Sequence, residues 1–162
     1  MSNAAREVAD ALRVIRDKAA SEAPLAACNA LGATAQTAIK VALSLRSHAK
    51  GTPTPSKPGQ PPARVTGSLA SSVHRTTPQL TGEGMSRCAV GTTLIYGPVH
   101  EFGPVVIRAR NFPQLGNPTV GFFGPEVTIP RRPYIAPTVL MLETTGYAEQ
   151  VTTGAWRAVM GF

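Results

Sequence analysis

The segment YGPVHEFG at residues 96–103 organises the predicted fold of this chain. Tyr96, Val99 and Phe102 recur every three residues, a spacing that favours one face of a short helix over a strand. Pro98 is compatible with the first turn of such a helix, where its missing N–H costs no hydrogen bond. The segment therefore predicts a short helix that follows an apolar strand.

The end of this segment predicts a sharp exit. Gly103 can adopt the left-handed conformation that ends a helix, and Pro104 cannot continue it. Glu101 is the one acid of the segment and lies between two large apolar residues. It is either an acid on the surface of the helical turn or an inward partner for an arginine such as Arg131 or Arg132. We favour the inward position.

The length and composition predict one globular domain with long irregular segments. The chain has 162 residues, of which 43% are hydrophobic and 15% are charged, with 15 Gly and 15 Pro. The aromatic content of 6% argues against an aromatic stacking platform for single-stranded nucleic acid.

The positive charge is concentrated in the middle of the chain. The net charge is +7, and residues 40–132 contain eleven Lys and Arg against three acids. Such a basic stretch indicates an acidic neighbour, either nucleic acid or an acidic protein face. Simple solvation of polar loops explains the same pattern equally well.

The cysteine and hydropathy patterns predict a protein of a cytoplasm-like compartment. Cys28 and Cys88 have neither disulfide-framework nor metal-site spacing, so we expect buried free thiols. No run of 18 apolar residues is present, and the acidic N-terminal segment lacks the apolar region of a secretory signal.

Residues 1–49 predict a long helix with a kink. Val8, Leu12 and Ile15 have the spacing of one buried apolar stripe, which continues in later residues to about residue 47. Pro24 interrupts the pattern and predicts a kink or a new helical start. The high Ala content would allow a helix of a neighbouring subunit to approach closely.

Residues 50–65 predict an extended arm, because the stretch from 50 to 64 reads KGTPTPSKPGQPPAR. A solvated linker is one interpretation. We favour an arm that is mobile in the isolated subunit and lies along an adjacent subunit in an assembly, where Lys50, Lys57 and Arg64 meet acidic groups.

The rest of the chain predicts an α+β domain. After a short helix near residue 69, apolar patterns predict strands at 74–77, 85–92, 105–110 and 127–129, with a hairpin flap at 112–126. Residues 134–162 predict one final helix, weakened by Gly146 and Gly154. We expect the long kinked N-terminal helix and the C-terminal helix to pack on one face of a small, mainly antiparallel sheet spanning 66–133.

The candidate catalytic residues do not converge on a reaction. His48, His74 and His100 lack ligand spacing, and neither a phosphate-binding glycine loop nor a nucleophile elbow is present. We therefore expect no enzymatic activity, no metal and no cofactor. No helix-turn-helix or zinc finger is recognisable, which argues against sequence-specific DNA recognition.

Three spaced blocks carry a resemblance to a known family. The first runs from the GQPP at 59–62 through TGSL at 66–69 to Val73, the second joins VGT at 90–92 to EFG at 101–103, and the third is PRRPYIAP at 130–137. In this order they resemble the tail-component family of long-tailed bacteriophages, also described as neck, tail-completion or head–tail joining proteins. The resemblance covers about residues 59–140. Gly97 and Pro104 depart from the family pattern, which commonly has Ala and Thr there.

The resemblance implies a structural virion protein, assembled in the host cytoplasm, that forms a homo-oligomeric ring, expected to be six-fold, in the neck between the head connector and the tail. Implied partners are other copies of the chain, an adjacent head-completion or connector ring, and a tail terminator or tail tube protein, with genome DNA in the channel as a further one. Alternatives are a tail terminator that caps the tail tube and a basic, non-specific DNA-binding protein.

The residues assigned to subunit or partner contacts share charge or an aromatic ring near the blocks, and they are Lys50, Lys57, Arg64, Tyr96, Glu101, Phe102, Arg108, Arg110, Arg131 and Arg132. For Tyr96, Phe102 and Trp156 we favour burial in the core over contact. Arg131 and Arg132 could equally face DNA.

Overall fold

A computed structural model describes residues 3–49, 56–82, 84–108 and 126–161 of the chain. The N-terminal region is one long helix in three parts: α1 (Asn3–Asp17), a π-helical turn (Lys18–Glu22) and α2 (Ala23–Ala42). The predicted interruption falls at this wide turn, immediately before Pro24 in the first turn of α2. The long kinked helix is thus confirmed, and it ends at Ala42.

The strands form three separate two-stranded antiparallel sheets within the described residues. After α3 (Ser68–Ser72), β1 (Val73–Arg75) pairs with β4 (Val90–Thr92), and β2 (Gln79–Gly82) pairs with β3 (Met85–Arg87). The helix α4 (Tyr96–Phe102) follows. Then β5 (Val105–Arg108) pairs with β6 (Glu126–Ile129). The α+β class is confirmed, whereas the expected single sheet is divided into three.

The strand expected at 85–92 is interrupted in its middle. Ala89 leaves the ladder because its N–H donates to the Thr76 hydroxyl oxygen (2.8 Å) and its carbonyl oxygen accepts from the Thr76 N–H (2.9 Å). The residues before and after this exchange pair with different partners, as β3 and β4. The flap expected at 112–126 lies, except for Glu126 in β6, outside the described residues.

The C-terminal region forms two helices, α5 (Ala136–Thr144) and α6 (Tyr147–Met160), where one was expected. Gly146 separates them with φ +68°, a conformation that glycine adopts without strain. Gly154, in contrast, lies within α6. The most extensive contact between elements is that of α2 with α6, and α2 also contacts β1, β3 and β4.

The core is small and centres on the C-terminal end of α2. Within the described part of the chain six hydrophobic residues are buried, which are Ala23, Ile39, Leu43, Val73, Tyr134 and Leu142. Several large apolar side chains of the described residues, among them those of Leu12, Ile95 and Phe102, are more than half exposed and available for contact with other molecules.

Candidate functional site

The helix α4 lies close against β4 and the buried ring of Tyr134, and Gly97 permits this approach. A Cβ atom on Gly97 would clash with the Thr92 side chain and would lie 3.0 Å from the Tyr134 hydroxyl oxygen. The predicted short helix and the place of Pro98 in its first turn are confirmed. Gly97, at which the resemblance to the family fails, is thus required by packing in this chain.

The carboxylate of Glu101 is the centre of the site. Glu101 is 4% exposed, and its Oε2 accepts hydrogen bonds from the backbone N–H groups of Tyr134 (2.8 Å) and Ile135 (2.9 Å). Its Oε1 accepts from the N–H of Ala136 at 2.9 Å. These three N–H groups precede or open α5, where a helix leaves its donors unpaired. The carboxylate satisfies them and also faces the positive end of the helix dipole.

The inward position of Glu101 is confirmed, but its predicted arginine partner is wrong. The carboxylate binds backbone amides, and the Arg131 Nε instead donates to the carbonyl oxygen of Glu101 at 2.9 Å. The N–H of Arg132 donates to the carbonyl oxygen of His100 at 2.8 Å, which adds a third connection between the two segments. Arg131 is exposed and Arg132 is half-buried.

Gly103 ends α4 in a way the sequence did not predict. Its φ of −42° and ψ of 178° are not left-handed. A Cβ atom on Gly103 would lie 2.7 Å from the Val99 carbonyl oxygen and 3.5 Å from the backbone of Arg131. Glycine is required here because a Cβ atom would clash with the carbonyl oxygen of the preceding helical turn, at Val99.

Phe102 is 79% exposed, so the expectation that it belongs to the core is wrong. The inner face of α4 carries Gly97 and Glu101, because the carboxylate must reach α5, and this directs the Phe102 side chain to solvent. Tyr96 is also exposed, and Ile95, immediately before the helix, is 92% exposed. Trp156 is half-buried. The outer face of α4 is therefore an aromatic and aliphatic surface suited to contact.

Replacing Phe102 with alanine is expected to change the free energy of unfolding by less than about 0.5 kcal/mol, since the ring packs little against its own chain. The same substitution at a phenylalanine in a protein core lowers the free energy of unfolding by about 3–5 kcal/mol. Ile39→Ala, at a fully buried position, is the control and should lose about 2–5 kcal/mol. Urea unfolding of both variants measures the difference, and a large loss for Phe102→Ala would contradict the exposed position.

His100 is held neutral beside this network. Its Nδ1 is buried without a hydrogen-bond partner among the described residues, and its ring meets that of Tyr96 edge-on at 6.2 Å. Burial, and secondarily the Arg132 charge, lower the pKa of His100 below its ordinary value of 6.5. The folded state therefore disfavours the imidazolium form.

Acid is expected to destabilise the fold partly through His100. The His100 side chain binds a proton near pH 6.5 in the unfolded chain and only at a lower pH in the folded chain. The contribution of neutral His100 to the free energy of unfolding is therefore complete above pH 6.5 and is lost progressively as the pH falls below 6.5. The loss is at most about 1.4 kcal/mol for each pH unit. Urea unfolding at about pH 7.5 and 5.5 should show a smaller acid loss in His100→Gln than in the wild type. Equal losses would contradict the prediction.

The helix α1 exposes a complete apolar stripe. Val8, Leu12 and Ile15 lie on one face and are 52–61% exposed, so the expectation that they are buried is wrong for the single chain. Every residue of α1 is exposed, and its extensive contacts are confined to the adjoining π-helical turn. The stripe is regular, and the charged residues occupy the rest of the helix surface.

An apolar groove lies between α2, α5 and the start of α6. It encloses about 520 Å³ and is lined by uncharged residues, namely Ala33, Thr34, Thr37, Ala38, Met141, Leu142, Thr145 and Tyr147. Met141 and Tyr147 are about half exposed. The small residues of α2 form a floor that a second helix could approach closely.

The described part of the Pro-rich arm lies on its own chain, which corrects the expectation that the whole arm reaches a neighbour. The Gly59 N–H donates to the Arg131 carbonyl oxygen (2.9 Å), and the Arg132 Nε donates to the Ser56 carbonyl oxygen (3.0 Å). Arg64 forms a parallel bridge with Ser47. Residues 50–55 lie outside the described part.

The remaining basic contact candidates are not gathered at one site. Lys57 and Arg64 are exposed. Arg108 belongs to β5, but its side chain is not described. Lys50 and Arg110 lie outside the described residues. The structure thus brings together Glu101, Arg131 and Arg132, and it places Tyr96 and Phe102 on the same short helix.

The two cysteines lie close together, which their separation in sequence did not indicate. Both are half-buried free thiols, and the Cys88 thiol lies 3.5 Å from the Cys28 carbonyl oxygen, to which it donates. Burial first, and then the interaction with the neighbouring Cys28, raises the pKa of Cys88 to about 11. The thiol is therefore protonated at neutral pH.

The described residues contain no cluster of three or more His, Cys, Asp or Glu side chains that could hold a metal ion. Among the described helices, none combines the length and apolar character needed to cross a membrane. Comparison of the chain with protein-family models, with curated proteins and with solved structures gives no match.

Proposed function

We propose that this chain is a structural virion protein whose copies form a ring at the head–tail junction of a long-tailed bacteriophage. The three sequence blocks described above suggest the family. The carboxylate of Glu101 connects the second block to the third through three backbone amides.

Contacts among all three blocks support treating them as one unit. Val73 of the first block pairs with Thr92 of the second across the β1–β4 ladder, and the hydroxyl oxygens of Ser72 and Thr92 lie 2.5 Å apart. The N–H of Gly59 in the first block donates to Arg131 in the third. Residues that are distant in sequence thus belong to one packed arrangement, as expected for a motif that defines a fold.

The exposed stripe of α1 is the observation that carries the proposal. A helix with large apolar residues on one exposed face gains most of its stability in water from packing on a partner. The partner we propose is the groove between α2 and α5 of the next copy. The groove is apolar, uncharged and floored by small residues, so it matches an Ala-rich amphipathic helix.

Head-to-tail contact of this kind is the type of association from which rings are built. The stripe and the groove are two different surfaces on the same chain, and association of unlike surfaces closes into a ring when the rotation permits. The outer face of α4, with Ile95 and Phe102 exposed, remains available for an adjacent ring of the neck. In this proposal the function is mechanical and depends on shape, with no catalytic step.

Localisation in the virion tests the proposal. Antibodies raised against the protein and labelled with gold should mark the junction between head and tail of purified particles. Phages lacking the protein should accumulate filled heads and separate tails. Label on tails isolated before joining would favour the tail terminator, the second candidate, and absence of the protein from virions would overturn both.

A further inference from the structure

A basic cleft lies on the side of the molecule where the Pro-rich arm returns to α2. It encloses about 400 Å³ and is lined by two cations, four hydroxyl groups and two small residues, which are Lys40, Arg64, Ser44, Thr66, Ser68, Ser71, Gly67 and Ala70. Arg64 is brought to Lys40 by the parallel bridge between Arg64 and Ser47.

A backbone hydrogen bond holds Arg64 at this cleft. The Arg64 N–H donates to the Arg46 carbonyl oxygen at 2.7 Å. Arg46 itself does not line the cleft, because its guanidinium donates to the side-chain oxygen of Gln60. The Arg64 guanidinium extends over Gly67, where a Cβ atom would lie 3.2 Å from Arg64 Nε. Gly67 precedes α3 with φ +83°, a conformation that favours glycine.

Within the part of the chain that the structure describes, the positive charge of the cleft has no carboxylate partner. No carboxylate of the described residues forms a salt bridge with Lys40, Arg46 or Arg64. From residue 23 to residue 100 the sequence has one acid, Glu83, which lies outside the described residues. A concave site with unpaired cations raises the local concentration of an anionic ligand.

The lining favours phosphate over an acidic protein segment. Lys, Arg, Ser and Thr are the side chains that most often contact phosphate oxygens in protein–DNA complexes. Protein–protein contacts depend on aromatic and aliphatic anchors, and the cleft has only Ala70 as an apolar residue. The cleft itself contains no aromatic ring on which an unpaired base could stack.

We propose that this cleft binds the backbone phosphates of duplex DNA without sequence preference. The inference rests on the proposed function only for naming duplex DNA as the polyanion. In the proposed ring, the face of each subunit that carries the cleft lies toward the DNA that passes through the junction. Binding is electrostatic, so it weakens steeply as salt displaces the protein from the phosphates.

The test uses the purified full-length chain and fluorescence anisotropy. Two labelled duplexes of about 30 base pairs with unrelated sequences are titrated between about 50 and 200 mM salt. We expect equal affinity for both sequences. We expect Lys40→Gln and Arg64→Gln each to weaken binding several-fold, and the double variant more than about tenfold. The salt slope should fall by about one for each phosphate that a variant no longer neutralises.

Arg87→Gln is the matched control, because Arg87 is an exposed arginine that does not line the cleft. It should keep near wild-type affinity, and circular dichroism should show that all variants are folded. Absence of binding at about 50 mM salt, or equal loss in Arg87→Gln and Arg64→Gln, would overturn the inference. Tighter binding of polyglutamate than of DNA by the same residues would also overturn it, in favour of an acidic protein partner.

The two proposals fail separately. A ring that does not bind DNA would leave the proposed function in place and remove this inference. A monomeric protein that binds DNA through Lys40 and Arg64 would support this inference and remove the proposed ring. Such a protein would match the basic DNA-binding protein considered from the sequence.

Discussion

Replacing Glu101 with alanine is expected to lower the free energy of unfolding by about 3–5 kcal/mol. The substitution removes the acceptor of three backbone N–H groups, of which that of Tyr134 is buried and those of Ile135 and Ala136 are partly buried. It also removes the negative charge at the N-terminus of α5. Urea unfolding gives the stability change directly.

Two further variants separate this explanation from a general effect of removing an acid. Glu101→Gln keeps the shape and one acceptor oxygen, so it should lose less, about 1–3 kcal/mol. Glu149→Ala removes an exposed acid in the first turn of α6 and should change stability by less than about 0.5 kcal/mol. The amides of residues 134–136 should exchange faster with solvent in Glu101→Ala. A loss below about 1 kcal/mol would show that the carboxylate does not hold α5.

Replacing Leu12 with glutamate is expected to abolish self-association while leaving the single chain folded. Leu12 lies in the middle of the exposed stripe of α1 and packs little on its own chain. In the assembly the charge would be buried in an apolar groove without a partner, which costs several kcal/mol. We therefore expect the association constant to fall at least about 100-fold, with the unfolding free energy of the monomer changed by less than about 0.5 kcal/mol. Light scattering over a dilution series measures the association.

Val14→Glu is the matched control for Leu12→Glu. Val14 belongs to the same helix and is similarly exposed, but it lies outside the stripe, among the charged residues. The same charge is added in both variants. Wild-type association by Val14→Glu, together with loss in Leu12→Glu, would identify the stripe as the contact. Equal effects of the two substitutions would point to net charge instead.

The helical ends of the fold could be predicted because their signals are local. The spacing of Val8, Leu12 and Ile15 specifies a helix whatever covers it, and Pro24 marks where the helix changes. Burial of the stripe could not be predicted correctly for the single chain. Periodicity shows that a face needs a partner, and it does not show whether the partner belongs to the same molecule.

The position of Glu101 was predictable, but its partners were not. Backbone amides carry no sequence signature, so an arginine was the visible candidate. A usable signal did exist. Pro137 indicates a helix start nearby, and Ile135, at the cap position, has no side-chain oxygen to accept from the first N–H groups. A helix that begins without a cap of its own requires an acceptor from elsewhere in the chain.

We expected Phe102 to belong to the core, and that expectation failed for a specific reason. The apolar face of α4 and the face that carries Gly97 and Glu101 cannot both be buried against the rest of the chain, and the face with Gly97 and Glu101 is the buried one. Three charge-assisted hydrogen bonds to α5, together with the close approach at Gly97, outweigh burial of one aromatic ring.

The sequence indicated that Gly146 weakens the C-terminal helix, but it did not indicate that the helix is divided there. A glycine within a helical pattern either weakens the helix or ends it, and Gly154 does the former while Gly146 does the latter. What distinguishes them is tertiary: α5 is fixed at its start by Glu101, and α6 turns back to pack along α2.

The mass of the purified wild-type protein in solution tests the central proposal most directly. Sedimentation equilibrium at micromolar concentration should give one closed species at a multiple of the 17.0 kDa chain mass, and Leu12→Glu should sediment at 17.0 kDa. Electron micrographs of the wild-type sample should then show rings. A wild-type protein that remains at 17.0 kDa across the concentration range, or a Leu12→Glu variant that keeps the wild-type mass, would contradict assembly through α1.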